Sequence, residues 1–215
     1  MTVAATPTAS AVRHYVALGD SFSAGSPGAD RDTCFPVALA TLLRVRSPGL
    51  RATNLARAGV MSREVASAQL LPALRCEPDL VTVVCGANDV LLATRPDIAG
   101  HARALDLIVA TLGALRPHTA VLVATTPDPS AALGLRPRSR RRVQDGLACV
   151  NDATREIARR HGVACADLAR HPRAGEREHY RADGLHPTPA AARATARLLA
   201  AELRDHYGIQ TGGTS

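Results

Sequence analysis

Short apolar runs alternate with longer amphipathic segments along the chain. The apolar runs, several of them rich in β-branched residues, are 14–18, 51–56, 79–86, 119–126 and 163–168. Between and after them, apolar residues recur at helical spacing over 35–46, 62–74, 97–116, 139–161 and 188–206. Strands that alternate with helices predict right-handed βαβ units. The pattern therefore predicts an α/β fold with a five-stranded parallel sheet covered on both faces.

The third run, "DLVTVVCG" (79–86), is apolar at nearly every position. This is typical of a central parallel strand, which is buried on both faces. In open parallel sheets, ligands bind outside the carboxyl ends of the strands. The residues that follow each run are therefore where candidate chemistry is expected.

The first run ends in "YVALGDSFSAG", so Ser21 lies in the turn after the first strand. A hydroxyl at that point faces the crevice, and the unpaired N–H groups at the start of a helix can hold an anion. A Gly-Asp-Ser turn without any function is the alternative.

Two further strand ends carry possible donors. "NLARAG" places Gly59 after the second strand, where a backbone N–H can approach a ligand without a side chain in the way. "CGAND" places Asn88 after the third strand, and its side-chain amide is a neutral donor suited to an oxyanion. Each stretch alone is an ordinary loop.

A base follows near the end of the chain. "DGLHP" places Asp183 three residues before His186 and directly ahead of the last helical segment. This spacing lets the carboxylate hold Nδ1 of the imidazole while Nε2 stays available as a base. A nucleophile, a base with its orienting group and several donors are thus expected at one edge of one sheet.

These four stretches, in this order, resemble the sequence blocks of the SGNH hydrolases, also called the GDSL lipase/esterase family. The resemblance runs from about residue 14 to 190. It implies a flavodoxin-like three-layer α/β/α sandwich, Ser21 as nucleophile, and Asp183 with His186 as the rest of a catalytic triad. It also implies an oxyanion hole made by Ser21, Gly59 and Asn88. One departure is visible, because Phe22 stands where the family more often has leucine.

The resemblance predicts a serine hydrolase that cleaves small-molecule carboxylic esters or thioesters through an acyl-serine, without a cofactor or metal. An acyltransferase that moves the acyl group to a sugar or natural-product hydroxyl is the alternative on the same site. A non-catalytic binding domain would leave the four blocks unexplained. A metal hydrolase is suggested only by the histidines and carboxylates of residues 171–186, which read as a polar loop.

The net charge of +7 raises the question of nucleic acid. All basic residues apart from histidine are arginines, and the densest cluster is "RPRSRRR" (136–142). We interpret this cluster as a solvated loop and helix start rather than a phosphate site. Aromatic residues make up only 2% of the chain, which leaves little surface for base stacking. No nucleic-acid partner is expected.

Size and composition predict one domain over 13–207, with flexible ends at 1–12 and 208–215, and we expect a monomer. The sequence shows neither a secretory signal nor an apolar run long enough to span a membrane, so a cytoplasmic location is expected. Five cysteines without a CxxC spacing argue against a zinc ribbon. Disulfides Cys34–Cys76 and Cys149–Cys165 remain open at this point.

Overall fold

The computed structural model describes residues 11–25 and 33–212. The strands are β1 (His14–Gly19), β2 (Arg51–Asn54), β3 (Leu80–Val84), β4 (Ala120–Ala124) and β5 (Ala164–Ala166). The long helices are α2 (Phe35–Arg44), α3 (Ser62–Arg75), α5 (Ile98–Leu115), α6 (Pro137–His161) and α7 (Pro189–Tyr207). Each lies within two residues of its predicted limits. Sequence periodicity did not predict the short helices α1 (Ser21–Ala24) and α4 (Ala87–Leu91), nor the 3₁₀ turns Leu168–Arg170 and Arg177–His179.

All neighbouring strands are parallel, in the order β2-β1-β3-β4-β5. This is the flavodoxin-like order, and the predicted fold is confirmed. The chain leaves β1 towards β2 on one side and then crosses back to β3 on the other. The reversal opens a crevice between the carboxyl ends of β1 and β3.

Side chains of the sheet alternate between two apolar cores. Tyr15 and Ala17 of β1 pack with residues of α2 and α7, whereas Val16 and Leu18 pack with residues of α3, α5 and α6. Every residue of β3 is buried, as its apolar sequence predicts. Three layers follow from this alternation, since successive residues of a strand point to opposite faces.

Among the described residues, α5 is long and apolar enough to cross a membrane by length and composition. It packs between α3 and α6, and His101, Leu105, Ile108 and Leu112 on it are buried in the domain. A core helix meets the same criterion, so the expectation of no membrane span stays a prediction.

The chain after α7 packs on the domain as far as the structure describes it. Ile209 is buried, and the Gly212 N–H donates to the Leu42 carbonyl at 2.9 Å. The predicted flexibility of the two ends stays a prediction, and residues 1–10 and 213–215 lie outside the described part.

Most of the basic cluster is helical, because α6 already begins at Pro137. Arg142 lies against the end of α4, where its guanidinium donates to the carbonyls of Val90 at 3.1 Å and Ala93 at 2.7 Å. At least one arginine of the cluster therefore has a structural role. All five cysteines lie in the described part of the chain, and none of them forms a disulfide.

Candidate active site

The turn that carries Ser21 depends on Gly19, the last residue of β1. Gly19 has a φ of +146°, and a Cβ at this position would lie 2.1 Å from the Val84 carbonyl oxygen of the neighbouring strand. The buried Gln69 side chain holds both backbone groups of Gly19, accepting from its N–H at 2.8 Å and donating to its carbonyl at 2.9 Å. The first strand therefore ends at a fixed point beside β3.

Asp20 begins the helix on which Ser21 lies. Its carboxylate accepts from the Phe22 N–H at 2.9 Å and so caps α1. The Asp20 side chain is almost fully buried, and burial raises its pKa to about 6, with a smaller contribution from the nearby carboxylate of Asp89. Ser21 is the first residue of α1, so its backbone N–H has no acceptor within the helix.

The loop after β2 is held from two sides. Asn54 donates from its side chain to the Ser23 carbonyl at 2.8 Å, and Asn88 donates to the Val60 carbonyl at 2.9 Å. Gly59 is exposed, has a φ of +78°, and its N–H has no acceptor among the described residues. Gly59 therefore directly precedes Val60, which Asn88 binds. Gly59 itself does not line the cleft that holds Ser21, Asn88 and His186.

Asn88 is buried at the carboxyl end of β3, within α4. An amide NH₂ has two donor positions, and Val60 uses one of them. The other donor remains for a ligand in the cleft that Asn88 lines.

Asp183 and His186 form the pair that their spacing predicts. The His186 Nδ1 lies 2.7 Å from Asp183 Oδ2, while the backbone N–H groups of Leu185 and His186 donate to Oδ1 at 2.9 and 3.0 Å. Partial burial acts to raise the pKa of Asp183, but these backbone and imidazole hydrogen bonds outweigh it and lower that pKa to about 2. The carboxylate is thus ionised at neutral pH and orients the ring.

Neighbouring side chains hold this loop in place. The Arg177 guanidinium donates to the carbonyls of Tyr180 and Arg181, each at 2.8 Å, and to that of Ala182 at 3.2 Å. Gly184 has a φ of +71°, and a Cβ there would lie 2.5 Å from the Ala132 carbonyl oxygen. The loop therefore requires glycine at this position.

Ser21, Asn88 and His186 line one cleft at the carboxyl end of the sheet. Its volume is about 30 Å³. Apart from Asp20 and Thr126, the rest of its lining is apolar or aromatic: Phe22, Val84, Ala87, Leu91, Pro127, Pro129, Tyr180 and Leu185. Within the described residues, the Ser21 hydroxyl and the His186 ring share the cleft without a hydrogen bond between them. Such bonds are often long before a substrate is bound.

A buried polar chain behind α4 was not predicted from the sequence. The Ser62 hydroxyl lies 2.8 Å from both Asp89 Oδ2 and His101 Nδ1, and the Ser62 N–H donates to the same carboxylate oxygen at 3.0 Å. On its other side, His101 Nε2 lies 3.1 Å from Thr154 Oγ1. Burial lowers the pKa of His101. Only Asp89, next to Asn88 in "GAND", lay within a motif; the other three residues are far apart in sequence.

Charged side chains in the stretch 171–186 pair with one another. Arg173 pairs with Glu176 at 2.7 Å, and His186 is held by Asp183. Within the described ranges, no three metal-ligating side chains come together.

Comparison with solved structures shows the same fold. TesA has a TM-score of 0.70 at 22% identity, over 90% of this chain and 99% of TesA. An extracellular lipase from Streptomyces rimosus has a TM-score of 0.66 at 22% identity, over 88% and 99% of the two chains. Axe2, an acetylxylan esterase from Geobacillus stearothermophilus, has a TM-score of 0.69 at 17% identity, over 89% and 94%.

A search of curated protein sequences found no match. The sequence model of the GDSL-like lipase/acylhydrolase family matches residues 17–194, which include every predicted site residue. This match spans most of the chain and agrees with the strand order and the cleft. The chain is therefore a member of the GDSL-like lipase/acylhydrolase family, the esterases and lipases of the GDSL type.

Proposed function

We propose that this enzyme hydrolyses carboxylic esters through an acyl-serine intermediate formed on Ser21. The observation that carries the proposal is the convergence of Ser21, Asn88 and the Asp183-bound ring of His186 on one largely apolar cleft. A hydroxyl, a base and a neutral donor are the groups that acyl transfer through serine requires.

In the first step, His186 Nε2 takes the proton of the Ser21 hydroxyl as its oxygen attacks the ester carbonyl. Asp183 holds Nδ1 on the opposite side of the ring and stabilises the imidazolium that forms. The imidazolium then gives its proton to the leaving alcohol, and the acyl group remains on Ser21. In the second step, His186 takes a proton from water as the water attacks the acyl-serine, and the imidazolium then returns this proton to the Ser21 oxygen as the acid leaves.

The oxyanion of each tetrahedral intermediate is held by the N–H group of Ser21 and by the second amide N–H of Asn88, two residues that line the cleft. The family resemblance implies the Gly59 N–H as a third donor, although Gly59 does not line the cleft in this structure. The N–H groups of Ser21 and Gly59 have no acceptor among the described residues. Asn88 donates one amide N–H to Val60 and keeps the other for a ligand. Donors that are already in place gain most when charge develops on the oxygen, so they stabilise the transition state more than the bound ester.

We place hydrolysis ahead of acyl transfer because water requires no dedicated acceptor site. The apolar lining suits the acyl part of an ester or thioester. Product analysis separates the reactions, since hydrolysis releases the acid whereas transfer yields a new ester.

The test is a panel of p-nitrophenyl esters and acyl-thioesters, assayed with the parent enzyme and Ser21→Ala. The variant is expected to lose several powers of ten in kcat/KM. A fluorophosphonate is expected to label Ser21 and abolish activity, whereas a chelator leaves activity unchanged. Ser67→Ala, an exposed serine on α3, serves as the matched control. Turnover by pure Ser21→Ala above a few per cent of the parental rate would rule out Ser21 as the nucleophile.

A further inference from the structure

A second cavity lies behind one wall of the catalytic cleft. Its volume is about 60 Å³. Phe22, Pro127 and Tyr180 line both this cavity and the cleft, so these three residues form the wall between the two. We refer to the space beyond them as the rear cavity.

The rear cavity is built mainly from small and aliphatic side chains. Beyond the wall it is lined by α7 and by the segment that follows β5, including Leu168, Ala174, Ala191, Ala194 and Leu198. Among the described residues, its polar lining consists of one threonine and two histidines, without a carboxylate or an arginine. Such a lining suits an alkyl chain, because a sugar would lose hydrogen bonds to water without replacing them.

Two members of the wall are fixed in place. Tyr180 is buried, its hydroxyl donates to the Ala174 carbonyl at 2.6 Å, and its backbone pairs with Pro187. The ring of Pro127 is part of the backbone and cannot rotate away.

Phe22 is the third member, and its side chain is held by apolar packing alone. Its ring is half-buried and touches Phe35 in a tilted arrangement, with the ring centroids 5.9 Å apart. Phe22 directly follows Ser21, so an acyl group on the serine begins next to this ring. Phe22 is thus the part of the wall that can be removed while the rest stays in place.

We propose that the rear cavity is an acyl-chain subsite closed by Phe22, so that Phe22 limits the parental enzyme to short acyl groups. The inference rests on the proposed ester hydrolysis. One water-sized group takes up about 10–15 Å³ of the cavity volumes given above. The cleft therefore has room for an acyl group of about two or three carbons, and the rear cavity for about four to six more. Each methylene that enters an apolar site favours binding by about fourfold.

The experiment compares kcat/KM for p-nitrophenyl esters of increasing acyl length in the parent, Phe22→Ala and Phe22→Leu. The parent is expected to prefer the acetyl ester. Phe22→Ala is expected to raise the ratio of hexanoyl to acetyl kcat/KM by at least about tenfold, as two or more methylenes gain an apolar site. Phe22→Leu, which keeps more of the packing against Phe35, is expected to give a smaller shift in the same direction.

A second substitution tests where the longer chain goes. In the Phe22→Ala background, Ala194→Phe fills the rear cavity and is expected to return the ratio to within about twofold of the parental value. Ala190→Phe on the same helix is exposed and does not line the cavity, so it serves as the matched control and is expected to leave the shifted ratio in place.

The two levels of the proposal fail in different ways. Hydrolysis of short esters by both folded Phe22 variants with an unchanged length ratio would overturn the subsite and leave ester hydrolysis standing. A shifted ratio that Ala194→Phe does not reverse would also overturn it, because the chain would then lie elsewhere. A parent enzyme without activity on any ester would refute the proposed function and the subsite together.

Discussion

Asp20 couples the stability of this enzyme to pH, and Asp20→Asn tests that coupling. The carboxylate is buried directly before Ser21, where burial raises its pKa from 3.8 to about 6. Asparagine keeps an oxygen that can accept from the Phe22 N–H, so the cap on α1 is retained. The substitution therefore removes the buried charge with little change in shape.

The direction of this pH dependence follows from the number of protons that the folded and unfolded states bind. Between the ordinary pKa and about 6, the folded protein holds a proton on Asp20 that the unfolded chain has released. Raising the pH through this window therefore destabilises the folded state of the parent. A shift of about two pKa units lowers the free energy of unfolding of the parent by about 3 kcal/mol once Asp20 is fully ionised. Roughly 2 kcal/mol of this loss occurs between about pH 4.5 and about pH 7.5.

The assay is urea unfolding of the parent and Asp20→Asn across that pH range. The stability of the variant relative to the parent is expected to increase by roughly 2 kcal/mol from the lower to the higher pH. Asp97→Asn is the matched control, because Asp97 caps α5 through the Gly100 N–H at 2.8 Å but is exposed to solvent. The free energy of unfolding of Asp97→Asn is expected to depend on pH in the same way as that of the parent. Parallel curves for Asp20→Asn as well would refute the reasoning, since the two states would then bind the Asp20 proton equally.

Three further substitutions address the site. Asn88→Ala is expected to lower kcat by a factor on the order of 10²–10³ with a smaller change in KM, because an oxyanion donor acts chiefly in the transition state. If variant and parent have the same kinetics, Asn88 is not an oxyanion donor. Asp183→Asn is expected to lower the plateau of kcat/KM against pH, because the carboxylate no longer orients the ring or stabilises the imidazolium that forms; an unchanged plateau would remove Asp183 from the triad. Ser62→Ala is expected to cost about 1–3 kcal/mol in urea unfolding, because buried Asp89 loses one of its donors; a loss below about 0.5 kcal/mol would show that this hydroxyl is dispensable.

The sequence alone predicted the parts of this protein that depend on short stretches of chain. The alternation of apolar runs and helical segments predicted every strand and every long helix, because each element buries a face whose period is visible within about a dozen residues. The separation of Asp183 and His186 likewise predicted their pairing, since three residues in a turn leave few other arrangements. Even the edge of the sheet that carries the cleft followed from the parallel order, because the carboxyl ends of parallel strands meet on one side.

Only the tertiary structure decided which distant segments meet. Gln69 clamps Gly19, Ser62 joins Asp89 to His101, and Tyr180 shares a wall with Phe22. The spacing of these residues in the sequence does not predict the contacts, because they form when helices and loops far apart in the chain pack against the sheet. The same holds for the burial that shifts the pKa of Asp20, since burial is a property of the packed domain and not of the tripeptide around it.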